Sequence, residues 1–351
     1  MIGIEAVKVD LIMNALFFSR FFKNGLCGST LLIVGAALLA NQGCTKVRHA
    51  VLPMARIEGV KRPFFTGQIL DTKQQKAITY PRLLEKLAAA NVVFLGELHD
   101  NPDHHLIQIQ ILQSLSNKWG HFALAVEFLP AQNQPIVDKY IKGEMSEEDF
   151  LKKVDWPEVW GFHYHFYRPL IDFQRYSRNP VAAINAPHDL VRKVAAKGLK
   201  SLNQRERALI AREIDLTDKQ HRAFLKEVYE SHSHERLKSF EYFYEAQCVW
   251  EETMAQNLAA LLKDTHTKIV VICGNGHLVH GFGIPKRLMR RIKTPMVTLV
   301  PYTLKETTVI ERDLADFVWF TGKYFRIPKR HPLKKRKSNG EIGFDKKARN
   351  N

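Results

Sequence analysis

Cysteine is scarce in this chain and badly placed for cross-linking. Of four residues, Cys27 and Cys44 fall within the first 44 positions, which leaves Cys248 and Cys273 for a folded domain. There is no Cys-x-x-Cys pair and no zinc-finger spacing. A disulfide framework and thiol redox work are therefore excluded, and two buried apolar thiols are expected. A bilayer-spanning run is missing too: the Leu31–Ala40 stretch falls short of the roughly 20 apolar residues such a helix needs. No repeat of 20–50 residues is visible, which excludes solenoids and propellers. Aromatic–basic RNA-binding patterns are absent, which argues against nucleic acid as partner.

What is abundant is positive charge, unevenly spread. The 351 residues carry a formal charge of +16. Residues 326–351 hold 10 Lys/Arg against 2 Asp/Glu, whereas 45–325 hold 39 against 32 and form a mildly basic body. The tail suits RNA, anionic lipid or lipopolysaccharide, and it equally suits a solvated, disordered end. An apolar content of 45% is ample for a core, so wholesale disorder is excluded.

The beginning of the chain reads as a targeting segment. Arg20 and Lys23 precede "NGLCGSTLLIVGAALLANQGC", whose Leu31–Ala40 run has the length of a secretory apolar region. It closes on Gly43-Cys44, similar to the lipobox of a bacterial lipoprotein, although Asn41 and Gln42 depart from its usual residues. Residues 1–44 are thus expected to be a lipoprotein-type signal, with translation from Met13 as an alternative start. Cys44 is expected to be lipidated, which would place the protein at the outer membrane on a lipid anchor. Cleavage near Ala40, giving a soluble periplasmic protein, is the alternative.

Beyond a linker and lead-in at 45–74, apolar runs alternate with amphipathic stretches. Strands are predicted at 91–97, 123–129, 180–187, 268–275 and 295–301, as continuous apolar runs suited to parallel strands covered on both faces. Helices are predicted at 102–115, 134–142, 168–176, 188–197 and 284–292. The fold class is therefore α/β, a mainly parallel sheet sandwiched by helices. Residues 201–264 break the rhythm as a charge-rich helical insertion, expected to pack on the sheet and to serve as a lid or a dimerisation element. The domain is placed at 75–302, with an extension at 303–325 and the basic tail after it.

Parallel sheets place ligands at the carboxyl ends of their strands. Here those ends are rich in ionisable groups: "GELHD" brings Glu97 and His99, "AVEF" brings Glu127, "INAPHD" brings His188, and "CGNGH" brings His277. His99 and His277 share a Gly-x-x-His spacing, in which glycine permits a tight turn over the strand edge. Two carboxylates with two or three imidazoles suit zinc, manganese or iron, and could equally do acid–base work without metal. The following "DNPDHH" reads instead as the start of a helix, with Asn101 as cap and Pro102 in first position.

A second cluster is "DWPEVWGFHYHFYRPL", residues 155–170. It surrounds His163, His165 and Arg168 with aromatic rings and includes Tyr167. Flat apolar surface, an imidazole or phenolate ligand and a cation for propionates are what a porphyrin needs; a loop pinned to the core by aromatics is the competing reading. "HLVHGFGIPKR" adds His280 near the same edge.

Six ordered blocks carry a resemblance: "VVFLGELHDNPDHHLIQIQIL", "AVEFLPAQNQPIVDKYIKGEMSEEDF", "WGFHYHFYRPLIDF", "INAPHDLVRKVAAKGL", "FEYFYEAQCVWEETMA" and "GNGHLVHGFGIPKRL". Over roughly 75–302 the chain resembles the ChaN-like family of haem-binding, iron-regulated lipoproteins, within the haem-uptake/Tiki superfamily. The resemblance implies an α/β fold and haem held between two protomers, ligated by tyrosine with histidine assistance. Tyr167 is the matching tyrosine, and an outer-membrane haem receptor is the implied partner. His280 stands where the family often has tyrosine, and His163 and His165 enrich the aromatic block; together they leave histidine as an alternative ligand. The reading preferred is therefore a haem-binding protein of iron acquisition without chemistry of its own. The alternative is a metal-dependent peptidase or esterase, since the wider superfamily also contains Tiki-type proteases. It would use Glu97 and Glu127 for catalysis and hold a divalent metal with His99, His277, His188 and the two glutamates.

Overall fold

A computed structural model of the chain describes residues 54–57, 60, 62–231, 239–265, 267–304 and 307–323. The signal segment, Cys44 and the basic tail at 326–351 lie outside the described residues. The strands are β1 (Met54–Ile57), β2 (Phe64–Phe65), β3 (Ile69–Asp71), β4 (Lys76–Ile78), β5 (Val92–Glu97), β6 (Ala123–Pro130), β7 (Val181–Asn185), β8 (Ile269–Gly274), β9 (Met296–Thr303), β10 (Thr308–Ile310) and β11 (Phe317–Thr321). The helices are α1 (Tyr80–Ala89), α2 (Pro102–Trp119), α3 (Gln134–Ile141), α4 (Glu147–Lys153), α5 (Trp156–Val159), α6 (Tyr164–Tyr176), α7 (His188–Lys197), α8 (Gln204–Arg207), α9 (Lys219–Glu230), α10 (Phe240–Thr265) and α11 (Ile284–Arg291).

Eight strands form the main sheet in the order β4-β3-β11-β9-β5-β8-β6-β7. The six from β11 to β7 are parallel, and β3 runs antiparallel against β11. All five predicted strands are present. The sheet also reaches past the 75–302 span at both ends, because β3 precedes it and β11 follows it. A small sheet, β10-β1-β2, completes the described strands.

Period-two alternation splits the sheet side chains between two cores. Val92, Phe94, Ala123, Val271 and Cys273 pack with α7, α9, α10 and α11. Val93, Leu95, Leu124, Val126 and Ile272 pack with α1, α2, α3 and α6 on the other face. Such complete coverage is why these strands read as unbroken apolar runs. The chain steps outward from β5 to β6 and β7, then returns to lay β8 between β5 and β6 before crossing to β9. That reversal opens a crevice at the carboxyl ends of β5, β8 and β6.

Three local expectations were tested by their caps and contacts. Asn101 caps α2 by accepting from the Asp103 N–H at 3.0 Å, and Gly120 ends that helix at φ 73°. The aromatic block turns helical earlier than predicted, at Tyr164 rather than 168, with Pro169 taken up inside the helix. Within 201–264, α10 packs on the sheet as expected and forms a core layer. Val249, Trp250, Met254 and Leu258 are each at most 1% exposed. Stripping four such side chains from the core costs on the order of 6–12 kcal/mol, about the whole binding energy of a micromolar ligand.

Candidate functional site

Glu97 is the last residue of β5, and its odd register turns it toward α2 and α6. It is 2% exposed, yet four groups address its carboxylate. Oε1 is 2.8 Å from His99 Nδ1 and accepts from the Tyr167 hydroxyl at 2.7 Å. Oε2 accepts from Gln108 Nε2 at 2.7 Å and lies 3.5 Å from His105 Nδ1. Burial alone would push this carboxyl up, but the two histidines and the Gln108 donor hold it down at about 2. A buried carboxylate with this many donors stays ionised.

Glu127, on β6, faces the other side of the sheet. Its Oε2 accepts from the Gly274 N–H at 2.6 Å. Its Oε1 lies 3.3 Å from His277 Nε2, close enough for charge but misaligned, so this buried oxygen has no hydrogen-bond donor. Gly274 lets the two carboxylate clusters meet across the end of β8. A Cβ there would sit 3.0 Å from His99 Cε1 and 3.6 Å from Glu127 Oε2. Burial lowers the affinity of His99 for a proton, but the Glu97 hydrogen bond and the charge of Glu127 raise it above the ordinary value.

The chain of charges continues inward. His277 Nδ1 is 3.2 Å from Glu251 Oε1, and Glu251 Oε2 accepts from Arg287 Nε at 3.1 Å. Arg287 is 3% exposed and also donates to Glu252 Oε1 at 2.6 Å and to Cys248 Sγ at 3.2 Å. Burial opposes a charged His277, but Glu127 and Glu251 on either side push its pKa up to about 10. Glu251 is depressed to about 2 against its own burial by His221, His277 and Arg287. Both domain thiols are free and buried as expected, and burial pushes Cys248 up to about 12. Glu251, Glu252, His221 and Arg287 were not singled out from the sequence. The signal available was "WEET", an acid pair in the middle of an apolar helix, which demands buried partners.

His188 reaches the same edge without touching a carboxylate. Its ring stands edge-on to Trp160 and Trp250 at 6.1 and 5.6 Å, and burial lowers its pKa to about 4. His104 is a structural acceptor: the Leu98 N–H donates to its Nδ1 at 2.9 Å, and burial lowers it to about 3. The "DNPDHH" stretch is thus helix-start grammar with an inward-facing histidine pair.

The candidate haem residues separate into three places. Tyr167 is fully buried with its hydroxyl donated to Glu97, and burial plus that carboxylate push its pKa well up. In this state the Tyr167 oxygen is occupied by Glu97 and shielded from solvent. Arg168 is on the surface but paired, with Nε 2.8 Å from Glu147 and 3.5 Å from Asp172, so it is not a spare cation for propionates. His280 lies elsewhere, beside Phe224 and Phe282 and near Glu311 and Asp313. His163 and His165 are exposed, with rings 6.3 Å apart and nearly parallel. Phe166 lies 6.5 Å from the His163 ring and stacks on His105 at 4.9 Å. An exposed imidazole pair beside an aromatic ring offers part of what a porphyrin needs.

The expected metal set forms a ladder of pairs instead of a single convergence point. Among the described residues, the three-residue group whose ligand atoms lie within 4.8 Å of one another is His280, Glu311 and Asp313. No helix among them is long and apolar enough to cross a membrane.

Comparisons with known proteins bear on the whole arrangement. Residues 83–288 match the family model described as haem-binding uptake, Tiki superfamily, ChaN. A solved structure of cofacial heme binding to ChaN of Campylobacter jejuni is 21% identical. It covers 72% of this chain and 95% of its own, with a TM-score of 0.58, which establishes a shared fold. An erythromycin esterase mutant in its open conformation is 12% identical, covering 68% of this chain and 77% of its own at a TM-score of 0.43. A curated chloroplastic protein of Arabidopsis thaliana, RETICULATA-RELATED 5, is 23% identical over 294 residues. That match covers 76% of this chain and 38% of the curated relative.

Proposed function

The chain belongs to the haem-binding uptake (ChaN) family of the Tiki superfamily, and from that premise we propose that it binds haem on the exposed face that carries His163, His165 and Phe166. One observation carries the placement. Of the histidines and tyrosines in the aromatic block, His163 and His165 are the accessible ones, and they stand beside apolar surface. Haem would supply a ligatable iron and a flat apolar ring. An imidazole of His163 or His165 would hold the iron, while Phe166 would pack against the ring. A single shallow face leaves the other side of the ring in water. This favours cofacial binding, the mode reported for the Campylobacter ChaN, with a second copy of this chain closing the open side, over a monomeric site.

Export, lipidation at Cys44, residence at the outer membrane and delivery to or from a haem receptor belong to the same proposal and rest on residues 24–44. Titration of residues 45–351 with hemin tests the core of it. Saturable binding with a Soret shift at fixed stoichiometry is expected. Absence of saturable binding at micromolar protein would sink it.

A second reading, metal-dependent hydrolysis, is favoured by the donorless Glu127 Oε1 beside His277 and His99. In that reading those histidines with Glu97 and Glu127 would hold a zinc- or manganese-class ion, which would supply Lewis acidity. Against this, Glu97 and Glu127 sit in separate clusters without a shared convergence point, so one ion would engage both only after a rearrangement. Metal content, and ester or peptide hydrolysis before and after chelation, decide this reading; no metal and no turnover would remove it.

A further inference from the structure

Outside the chain of buried carboxylates, one side-chain cluster has no part in the reading above. His280 occupies a 3-10 turn, Val279–Gly281, after His277, with a left-handed φ of 56° that is uncommon for a side-chain-bearing residue. Its N–H donates to the Leu314 carbonyl at 2.9 Å, tying this turn to the segment after β10. Its ring is confined by Phe224 at 5.5 Å and Phe282 at 5.3 Å. The two imidazole nitrogens each meet an acid: Nε2 lies 3.3 Å from Glu311 Oε2, and Nδ1 lies 3.2 Å from Asp313 Oδ1. Arg312, between those acids in sequence, reaches the Gln75 side-chain oxygen at 3.0 Å in the amide orientation that satisfies both groups.

We propose that His280, Glu311 and Asp313 form a site for a first-row divalent cation of the zinc, manganese or ferrous class. The charge argument comes first. Two carboxylates within 4.8 Å of each other repel, and one imidazole neutralises at most one of them, whereas a divalent ion neutralises both. The donor set comes second: one imidazole nitrogen with two carboxylate oxygens suits these ions and is neither soft enough for copper(I) nor all-oxygen as calcium prefers. Spacing comes third. Ligands about 2.0–2.2 Å from a tetrahedral ion stand about 3.3–3.6 Å apart; Glu311 Oε2 already stands 3.3 Å from Nε2, and one ligand atom from each of the three residues lies within 4.8 Å of the others. Only a side-chain rotation remains, because the acids approach opposite nitrogens. Asp313 is 75% exposed at its side chain and can make that rotation toward Nε2, while the confined imidazole stays fixed. The remaining coordination positions would hold water. Bound there, the ion staples residues 311–314, which follow the small sheet, to the turn that follows His277.

Equilibrium dialysis of the full chain tests the site, after chelation, against zinc and manganese ions, with metal content and thermal shift both read. The wild type should take up one equivalent held by this cluster and gain melting temperature with metal concentration. Asp313→Asn and Glu311→Gln, both on exposed side chains, should each weaken that equivalent at least tenfold. His280→Asn tolerates the left-handed backbone and should abolish it. A His163→Ala/His165→Ala variant should keep it, so failure of the haem face and failure of this site are separable. Retention of the equivalent in Asp313→Asn and Glu311→Gln, its loss only in the His163/His165 variant, or no uptake at submillimolar metal would each overturn the proposal.

Discussion

Gly274→Ala is the sharpest perturbation of the site, because it changes one methyl group where two clusters meet. The backbone at Gly274 has φ −59° and ψ 141°, which any residue adopts, so the effect is steric and not conformational. The added Cβ would stand 3.0 Å from His99 Cε1 and 3.1 Å from His99 Nε2. The ring has little room to yield: Glu97 holds Nδ1 at 2.8 Å, and Trp160 and Phe162 lie at centroid distances of 4.7 and 5.0 Å. Overpacking of this kind costs about 1–3 kcal/mol, and loosening a charge-assisted hydrogen bond adds about 1.5–3 kcal/mol. A total of about 2.5–6 kcal/mol corresponds to a melting temperature lower by roughly 5–24 °C for a domain of this size. Circular dichroism melts measure it, with His99→Ala/Gly274→Ala closing a double-mutant cycle. Removing the ring should recover at least about 1 kcal/mol of the Gly274→Ala loss. An unchanged melting temperature, or strict additivity, would refute the claim that Gly274 is the passage between His99 and Glu127.

Other outcomes follow from the same geometry. Arg287→Met leaves Glu251 short of its cation while Glu252 keeps Arg290 and Arg291, so the loss should sit near the low end of the usual range for breaking a buried pair, about 3 kcal/mol; urea unfolding reads it, and a loss below about 1 kcal/mol would contradict the ion chain. Stability should peak near pH 6.5. His277, raised to about 10, contributes fully below about 6.5 and loses its contribution as pH rises toward 10. Glu97 and Glu251, lowered to about 2, contribute fully above about 4.5 and lose that as pH falls toward 2. His104 and His188, lowered to about 3 and 4, add to the acid limb by favouring the fold above 6.5. His277→Gln should remove most of the alkaline limb, leaving the smaller part due to His99, which is also raised, and should weaken the Glu251 share of the acid limb; an undiminished alkaline limb assigns it elsewhere. Tyr167→Phe removes a donor to Glu97 and should cost about 1.5–3 kcal/mol by thermal melts, without changing hemin affinity.

Much of this was legible in residue order, and the limits have a physical pattern. β5, β6, β7, β8 and β9 announced themselves because strands buried on both faces show no polar alternation to confuse the reading. Glu97, His99, Glu127 and His277 did gather at one sheet edge, since parallel strands deliver their last residues there. Their pairing was not legible. Glu97 and Glu127 differ in register and face opposite sides, so they form two clusters bridged at a glycine and not a single ligand shell. Glu251 and Arg287 were hidden because partners on different helices leave no local spacing. Tyr167 shows the opposite failure: its motif marks importance, but only packing reveals that its hydroxyl is spent on Glu97. What the charges on α10 concealed was their use: two of them, Glu251 and Glu252, are buried partners of Arg287, Arg290 and Arg291.

The most direct test of the account is hemin affinity, by Soret titration, of the wild type beside His163→Ala/His165→Ala and Tyr167→Phe. The exposed-imidazole face predicts at least tenfold weaker binding when both histidines are replaced and unchanged binding for Tyr167→Phe. Wild-type affinity in the double-histidine variant, with binding lost in a folded Tyr167→Phe, would contradict it and return the ligand to the buried phenol.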